Sequence, residues 1–215
     1  MFRGRAKTLK FIRRISCVLS LLAITILAGC ASVSPDGPPP PNQQEILELA
    51  QVIRALGDDV DPEEADRAAH IAYEYPLQLA QEYQVTDSAL IHNMKVNNGT
   101  RPRGLCWHWA QDMETRLKQE NFQTLDLHRA IANSNMLLRI DHSTVIVSSR
   151  GETMYEGLVL DPWRYSGELH WTPPREDSSY AWRPREEVLA EKRERLVARN
   201  RSANSISVST GQAGN

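Results

Sequence analysis

The chain has 215 residues with a formal charge of −2, enough for one domain of ordinary size with tails at either end. The first 29 residues hold six basic side chains and no acidic one, so the remainder carries 19 basic residues against 27 acidic, near −8. An acidic body excludes the concentrated basic face that a nucleic-acid binder needs, and it favours neutral or cationic substrates.

In chain order, residues 1–14 are a basic leader and 15–28 an apolar run too short to span a bilayer. Leu27-Ala28-Gly29-Cys30 follows and resembles a bacterial lipobox. That resemblance implies a signal peptide over 1–29, lipidation of Cys30 and a membrane partner reached through its acyl chains. Ala31 in place of Asp implies export to the outer membrane, facing the periplasm. Residues 30–43 then form the lipid anchor and a tether stiffened by four consecutive prolines.

Apolar residues at helical spacing predict a helix over 44–56, ended by Gly57. A second helix starts at Asp61-Pro62 and runs toward Tyr83, with Pro76 expected to kink or divide it. A short helix covers 86–97. After the loop Arg101-Pro102-Arg103-Gly104, a helix from Leu105 to Glu120 gathers Cys106, Trp109, Ala110, Met113 and Leu117 on one face. Strands are expected over 122–132, 136–148 and 153–160. Residues 168–182, rich in Trp and Pro, are expected to wrap the domain. A charged helix spans 183–200, and 201–215 lack a core pattern and are expected to be disordered. The folded domain is thus placed at 44–182.

Cys17 and Cys30 fall in or beside the leader, which leaves Cys106 as the one cysteine of the domain and no disulfide framework. Two later motifs accompany it: Asp141-His142-Ser143 and Leu160-Asp161-Pro162. A two-residue turn at Gly151-Glu152 would pair residue 150 with 153 and set His142 directly opposite Asp161, with Cβ atoms about 5 Å apart. A thiol at the start of a helix, an imidazole and a carboxylate are the parts of a nucleophilic site. The helix end and an imidazolium favour a thiolate, and the carboxylate orients the ring. The backbone N–H of Cys106 offers one oxyanion donor; Asn93, Asn97 and Asn98 are open candidates for a second.

Each residue also has a plainer reading. A buried cysteine is often an inert small hydrophobe, His142 a satisfied strand histidine, and Asp161 the start of a turn. His108 projects away from Cys106 and reads as structural. His128 and His170 are weaker bases, since neither has a carboxylate in fitting register. Trp107, Trp109 and Trp163 would flank a cleft or pack in the core. No CxxC or HxxxH pair supports a metal site, so neither metal nor cofactor is expected.

Gly104-x-Cys106-x-x-x-Ala110, His142 followed by Val145-Ile146-Val147, and Leu160-Asp161-Pro162, spaced by 36 and then 19 residues, resemble the transglutaminase-like branch of the papain-like cysteine enzymes. The resemblance covers roughly residues 65–165. It implies an α+β fold with N-terminal helices packed on an antiparallel β-sheet. It implies Cys106 as nucleophile, His142 as general base and acid, and Asp161 as orienter. The reading drawn from this is attack on a peptide or protein amide to give a thioester, resolved by water in a peptidase or amidase, which is favoured, or by an amine in an acyl transferase. Ser143 and Thr144 stand where an aromatic often follows the family histidine, and Trp107-His108-Trp109 is unusually aromatic. Both departures bear on the substrate. The alternative is a non-catalytic envelope module that binds a peptide or glycan in the same cleft.

Overall fold

Among the described residues, five α-helices and a five-stranded antiparallel sheet make an α+β fold. The computed structural model describes residues 37–211, with side chains to residue 201. The leader and Cys30 lie outside the described residues, as does most of the tether. No helix among the described residues is long and apolar enough to cross a membrane.

Helix α1 spans Gln43–Arg54 and is capped by Asn42, whose side chain receives the Glu45 N–H while Glu45 receives the Asn42 N–H in return. It buries Ile46, Leu49 and Ile53 at helical spacing. Helix α2 spans Pro62–Glu82, with Asp61 accepting from Glu63 and Glu64 N–H groups. Pro76 sits inside α2 without dividing it. Its buried side chain is held by neighbours, and that packing offsets the missing hydrogen bond. Helix α3 spans Ala89–Asn97 and helix α4 Cys106–Lys118.

Strands β1 (Leu125–Ala132), β2 (His142–Ser149), β3 (Leu158–Tyr165), β4 (Glu168–Thr172) and β5 (Arg183–Pro184) stand in the order β4-β3-β2-β1-β5. Helix α5, Arg185–Gly211, follows β5 directly. It continues beyond residue 200, into the segment expected to lack order.

The sheet is buried on both sides at its centre. Val145, Val147, Leu158 and Leu160 pack with α1, α2 and α4 in one cluster. Ile146 and Val159 pack the other way, with Met154 and Trp182. Of residues 168–182, expected to wrap the domain, 168–172 instead form the strand β4, while 173–182 wrap the outer face through Trp182. Glu64 ties the two layers: its carboxylate receives the N–H groups of Gln123 and Thr124 and the Thr124 hydroxyl at 2.6–2.8 Å. Burial alone would raise the pKa of Glu64, but these hydrogen bonds outweigh it and hold the carboxyl below its usual range.

Strand boundaries depart from the sequence reading at several points, β1 beginning at Leu125 and not at residue 122. β2 begins at His142, not residue 136. Met136, Leu137, Leu138 and Ile140 form an exposed loop, and Leu138 has a φ of +68°, outside the β region. β3 starts at Leu158 because a 3₁₀ turn, Met154–Glu156, occupies the expected hairpin. It then runs through Pro162 to Tyr165, with an irregularity between Asp161 and Tyr165 that accommodates a residue lacking an N–H.

The register is the largest correction. Val145 pairs with Leu160, Ile146 with Val159 and Val147 with Leu158. Continued along the strands, that register sets Asp161 opposite Thr144, two residues from the expected pairing with His142. The longer connection accounts for the shift. A displacement of two preserves the face on which each side chain lies.

Candidate active site

The loop before α4 is fastened from three sides. Gly104 has a φ of +121°, and a Cβ there would stand 2.3 Å from Nε2 of His92. That nitrogen is bonded to the Arg103 carbonyl at 2.8 Å. Trp109 Nε1 donates to the Gly104 carbonyl at 3.0 Å. His108, third residue of α4, accepts the N–H groups of Gly104 and Leu105 on Nδ1, both at 3.1 Å. This is half of a capping box, with a histidine where Glu or Gln is usual. Burial lowers the His108 pKa to about 4, with the Arg103 charge adding to it, so the ring is a neutral acceptor at pH 7. The structural reading of His108 thereby acquires a mechanism. Arg103 in turn makes two bonds to Asp112, which also receives the Tyr83 hydroxyl.

These contacts set Cys106 at the first position of α4, buried at 7% exposure. Among the described residues, neither the Cys106 nor the Trp107 backbone N–H has an acceptor. Two unpaired donors therefore sit beside the thiol, as the first turn of a helix requires. The thiol itself points to the Asp141 carbonyl at 3.5 Å.

His142 and Asp161 are fully buried, and Nε2 of the ring meets Oδ2 of the carboxylate at 2.7 Å. With Nε2 engaged, Nδ1 is the free ring nitrogen; it is buried and has no partner in good hydrogen-bond geometry. Burial would depress the His142 pKa, but the Asp161 charge and hydrogen bond, with the thiol adding to them, raise it to about 9. Asp161 shifts the opposite way: burial would raise it, and the His142 and Arg164 cations prevail and lower it.

The ring is enclosed by aromatics. Trp163 and Tyr180 have centroids 4.5 Å away and Trp182 5.2 Å. Trp163 Nε1 donates to Asn93 at 3.1 Å, so Asn93 reaches the site's flank, while Asn97 and Asn98 stay exposed on the far end of α3. Trp109 packs in the cluster that holds Cys106, edge-on to Tyr83 at 4.9 Å. Trp107 is 46% exposed and lines the cleft.

Sequence reasoning missed the group behind Asp161. Arg164 donates from Nε to Asp161 Oδ2 at 3.0 Å and from both terminal nitrogens to Asp177, at 3.3 and 2.6 Å. Asp177 also accepts from Trp182 Nε1 and the Ser179 N–H, each at 3.0 Å. The guanidinium lies 4.7 Å from the centroid of Tyr180. Arg164 was legible in principle, three residues from Asp161; Asp177 carried no local signal. His170 was also misjudged: its Cα is paired with that of Asp161 across β3 and β4, though its ring makes no bond to that carboxylate. His128 lies on β1 and bonds Ser148 Oγ at 2.8 Å.

A cleft of about 580 Å³ opens onto Cys106, bordered by Gln111, Glu114, Arg129, Asp141, Ser143, Arg185 and Lys192 among others. The described residues contain no group of three or more His, Cys, Asp or Glu side chains placed to hold a metal ion. Chemically, the arrangement joins a thiol, an imidazole held by a buried carboxylate, two open backbone N–H groups and a solvent-accessible approach. Comparison of the chain with family models, curated proteins and solved structures finds no match.

Proposed function

We propose that this chain is a thiol peptidase or amidase of the transglutaminase-like, papain-like type, anchored to the bacterial envelope through a lipidated Cys30. The observation that carries the proposal is the buried His142–Asp161 pair at 2.7 Å beside a cysteine at the head of a helix, on the wall of an open cleft. The thiol on a helix and the His and Asp on adjacent antiparallel strands support the family assignment. The acyl-lipid anchor and outer-membrane location rest on the residues around Cys30 alone.

The reaction follows from the groups in place. With the His142 ring protonated at neutral pH, Cys106 reacts as the thiolate of a thiolate–imidazolium pair whose proton sits on Nδ1, and its sulfur bonds the amide carbon. The oxyanion that forms is received by the Cys106 and Trp107 N–H groups. The C–N bond breaks as His142 returns the proton to the departing amine, leaving a thioester. Water, deprotonated by the same ring, then adds to the thioester and releases the acid and the thiol. Asp161 keeps Nε2 protonated and offsets the ring's charge throughout. Turning the thiol from the Asp141 carbonyl toward Nδ1 begins the cycle.

The test is the rate of Cys106 alkylation by iodoacetamide against pH, on the full chain and on His142→Ala, read at the Cys106 peptide by mass spectrometry. Rapid labelling that persists well below pH 7 and is lost in the variant is the expected result. Labelling that rises only near the ordinary thiol value of about 8.5, and is indifferent to His142, overturns the enzyme reading in favour of a non-catalytic peptide- or glycan-binding module.

A further inference from the structure

The cleft that leads to Cys106 has its own electrostatics, opposite in sign to the chain as a whole. Its walls hold three cations, Arg129, Arg185 and Lys192, and two carboxylates, Glu114 and Asp141. Both carboxylates are engaged. Glu114 receives Lys118 at 2.7 Å and Arg129 at 3.1 Å, and Asp141 is paired with Lys192. Arg185 stands exposed at the first position of α5 with no carboxylate partner among the described residues. Arg129 is nearly buried. Its Nη2 donates to Ser143 Oγ at 3.2 Å, and its Nε is buried without an acceptor. Arg129, Arg185 and Cys106 line the same cleft, which places two guanidinium groups and the thiol in one neighbourhood.

We propose that this cleft selects substrates that carry a carboxylate close to the carbonyl attacked by Cys106, with that carboxylate paired to Arg185 and Arg129 behind it. The substrate class is then an acidic peptide or a peptide ending in a free carboxylate. The inference rests on the thiol-acylation reading for its chemistry, and it departs from the preference for neutral or cationic substrates drawn from net charge. Net charge describes the far field; a substrate in the cleft meets the few charges that line it.

Two alkylating reagents that differ in one charge test this without a known substrate. Iodoacetate and iodoacetamide both form an S–C bond at Cys106 and release iodide, while the thiol proton leaves through His142 to solvent. The ratio of their rates cancels the population of reactive thiolate and reports the local charge. On the full chain, read at the Cys106 peptide, the iodoacetate-to-iodoacetamide ratio is expected to exceed that of free glutathione. Arg185→Gln should lower the ratio about fivefold, in line with the loss of one nearby unit charge at the protein surface. Arg185→Lys should retain it, and raising the salt to about 1 M should erase most of the preference. A ratio equal to that of glutathione, or one unchanged in Arg185→Gln, overturns the proposal. If iodoacetamide labelling follows the pH dependence of an ordinary thiol and is indifferent to His142, the enzyme reading falls, while the ratio still decides whether the anion site exists.

Discussion

Arg164 Nε lies 3.0 Å from Oδ2 of Asp161, the same oxygen that meets the His142 ring at 2.7 Å. One carboxylate oxygen thus serves two cations in a dry setting. A buried anion with two donors stays ionised, and it orients the imidazole without taking its proton. Arg164 is a positioning residue in this sense, and Asp177 holds its far end.

Removing that guanidinium strands two buried carboxylates. Arg164→Met is expected to cost about 3 kcal/mol of stability, the usual scale for breaking a buried, hydrogen-bonded ion pair. Urea denaturation of the full chain reads this directly. A loss under about 1 kcal/mol, the level of an exposed pair, would show that water compensates Asp161 and Asp177.

His142 should titrate far from an ordinary histidine. Its imidazole resonances are expected to move near pH 9 and to return toward 6.5 in Asp161→Asn. The sign of the stability effect follows. A folded pKa above the unfolded value stabilises fully below about pH 6.5, and that contribution fades as pH rises through about 9. The fall is at most about 1.4 kcal/mol per pH unit. Comparing unfolding free energies of the wild type and His142→Gln between those limits isolates it; parallel curves would refute the assignment. Activity should decline over the same upper limb, as the ring loses the proton it hands to the leaving amine.

His108 predicts an opposite acid limb. Its pKa is depressed by burial to about 4, and Nδ1 must stay unprotonated to accept two N–H groups. A lowered histidine pKa stabilises fully above about pH 6.5, and the contribution is lost as pH falls toward 4. His108→Gln supplies the residue a capping box ordinarily uses at this position. That variant is expected to keep the fold at pH 7 and to lose less stability on acidification. A variant as acid-sensitive as the wild type would assign the effect to another group.

Gly104 is the tightest steric point beside Cys106. Its φ is +121°, and His92 Nε2 lies 2.3 Å from where a Cβ would stand, so Gly104→Ala meets both a strained backbone and an immovable ring. About 2 kcal/mol of destabilisation is expected, together with slower Cys106 alkylation as the helix start shifts. An unchanged unfolding midpoint would mean that the loop relaxes freely.

Local pattern carried the helices and the three candidate site residues, Cys106, His142 and Asp161. The stripe Cys106, Trp109, Ala110, Met113 and Leu117 is buried throughout, because a 3.6-residue period and a single core determine which face turns inward. Caps at Asn42 and Asp61 were equally local. His142 and Asp161 meet although the expected turn was wrong. The error was an even number of residues, and the alternation of strand side chains is blind to even errors. A slip of one would have separated them.

What the residues determined by themselves is therefore periodic and short-range: element type, buried face, and a cysteine, a histidine and an aspartate able to share a site. Tertiary structure alone decided the rest. Asp177 reaches Arg164 because the 173–182 segment folds back over the sheet, and Arg185 and Lys192 join Cys106 because α5 starts beside β1. Such contacts link residues far apart in the chain through shared burial and charge. No period or spacing encodes them, since the free energy that selects them belongs to the packed whole.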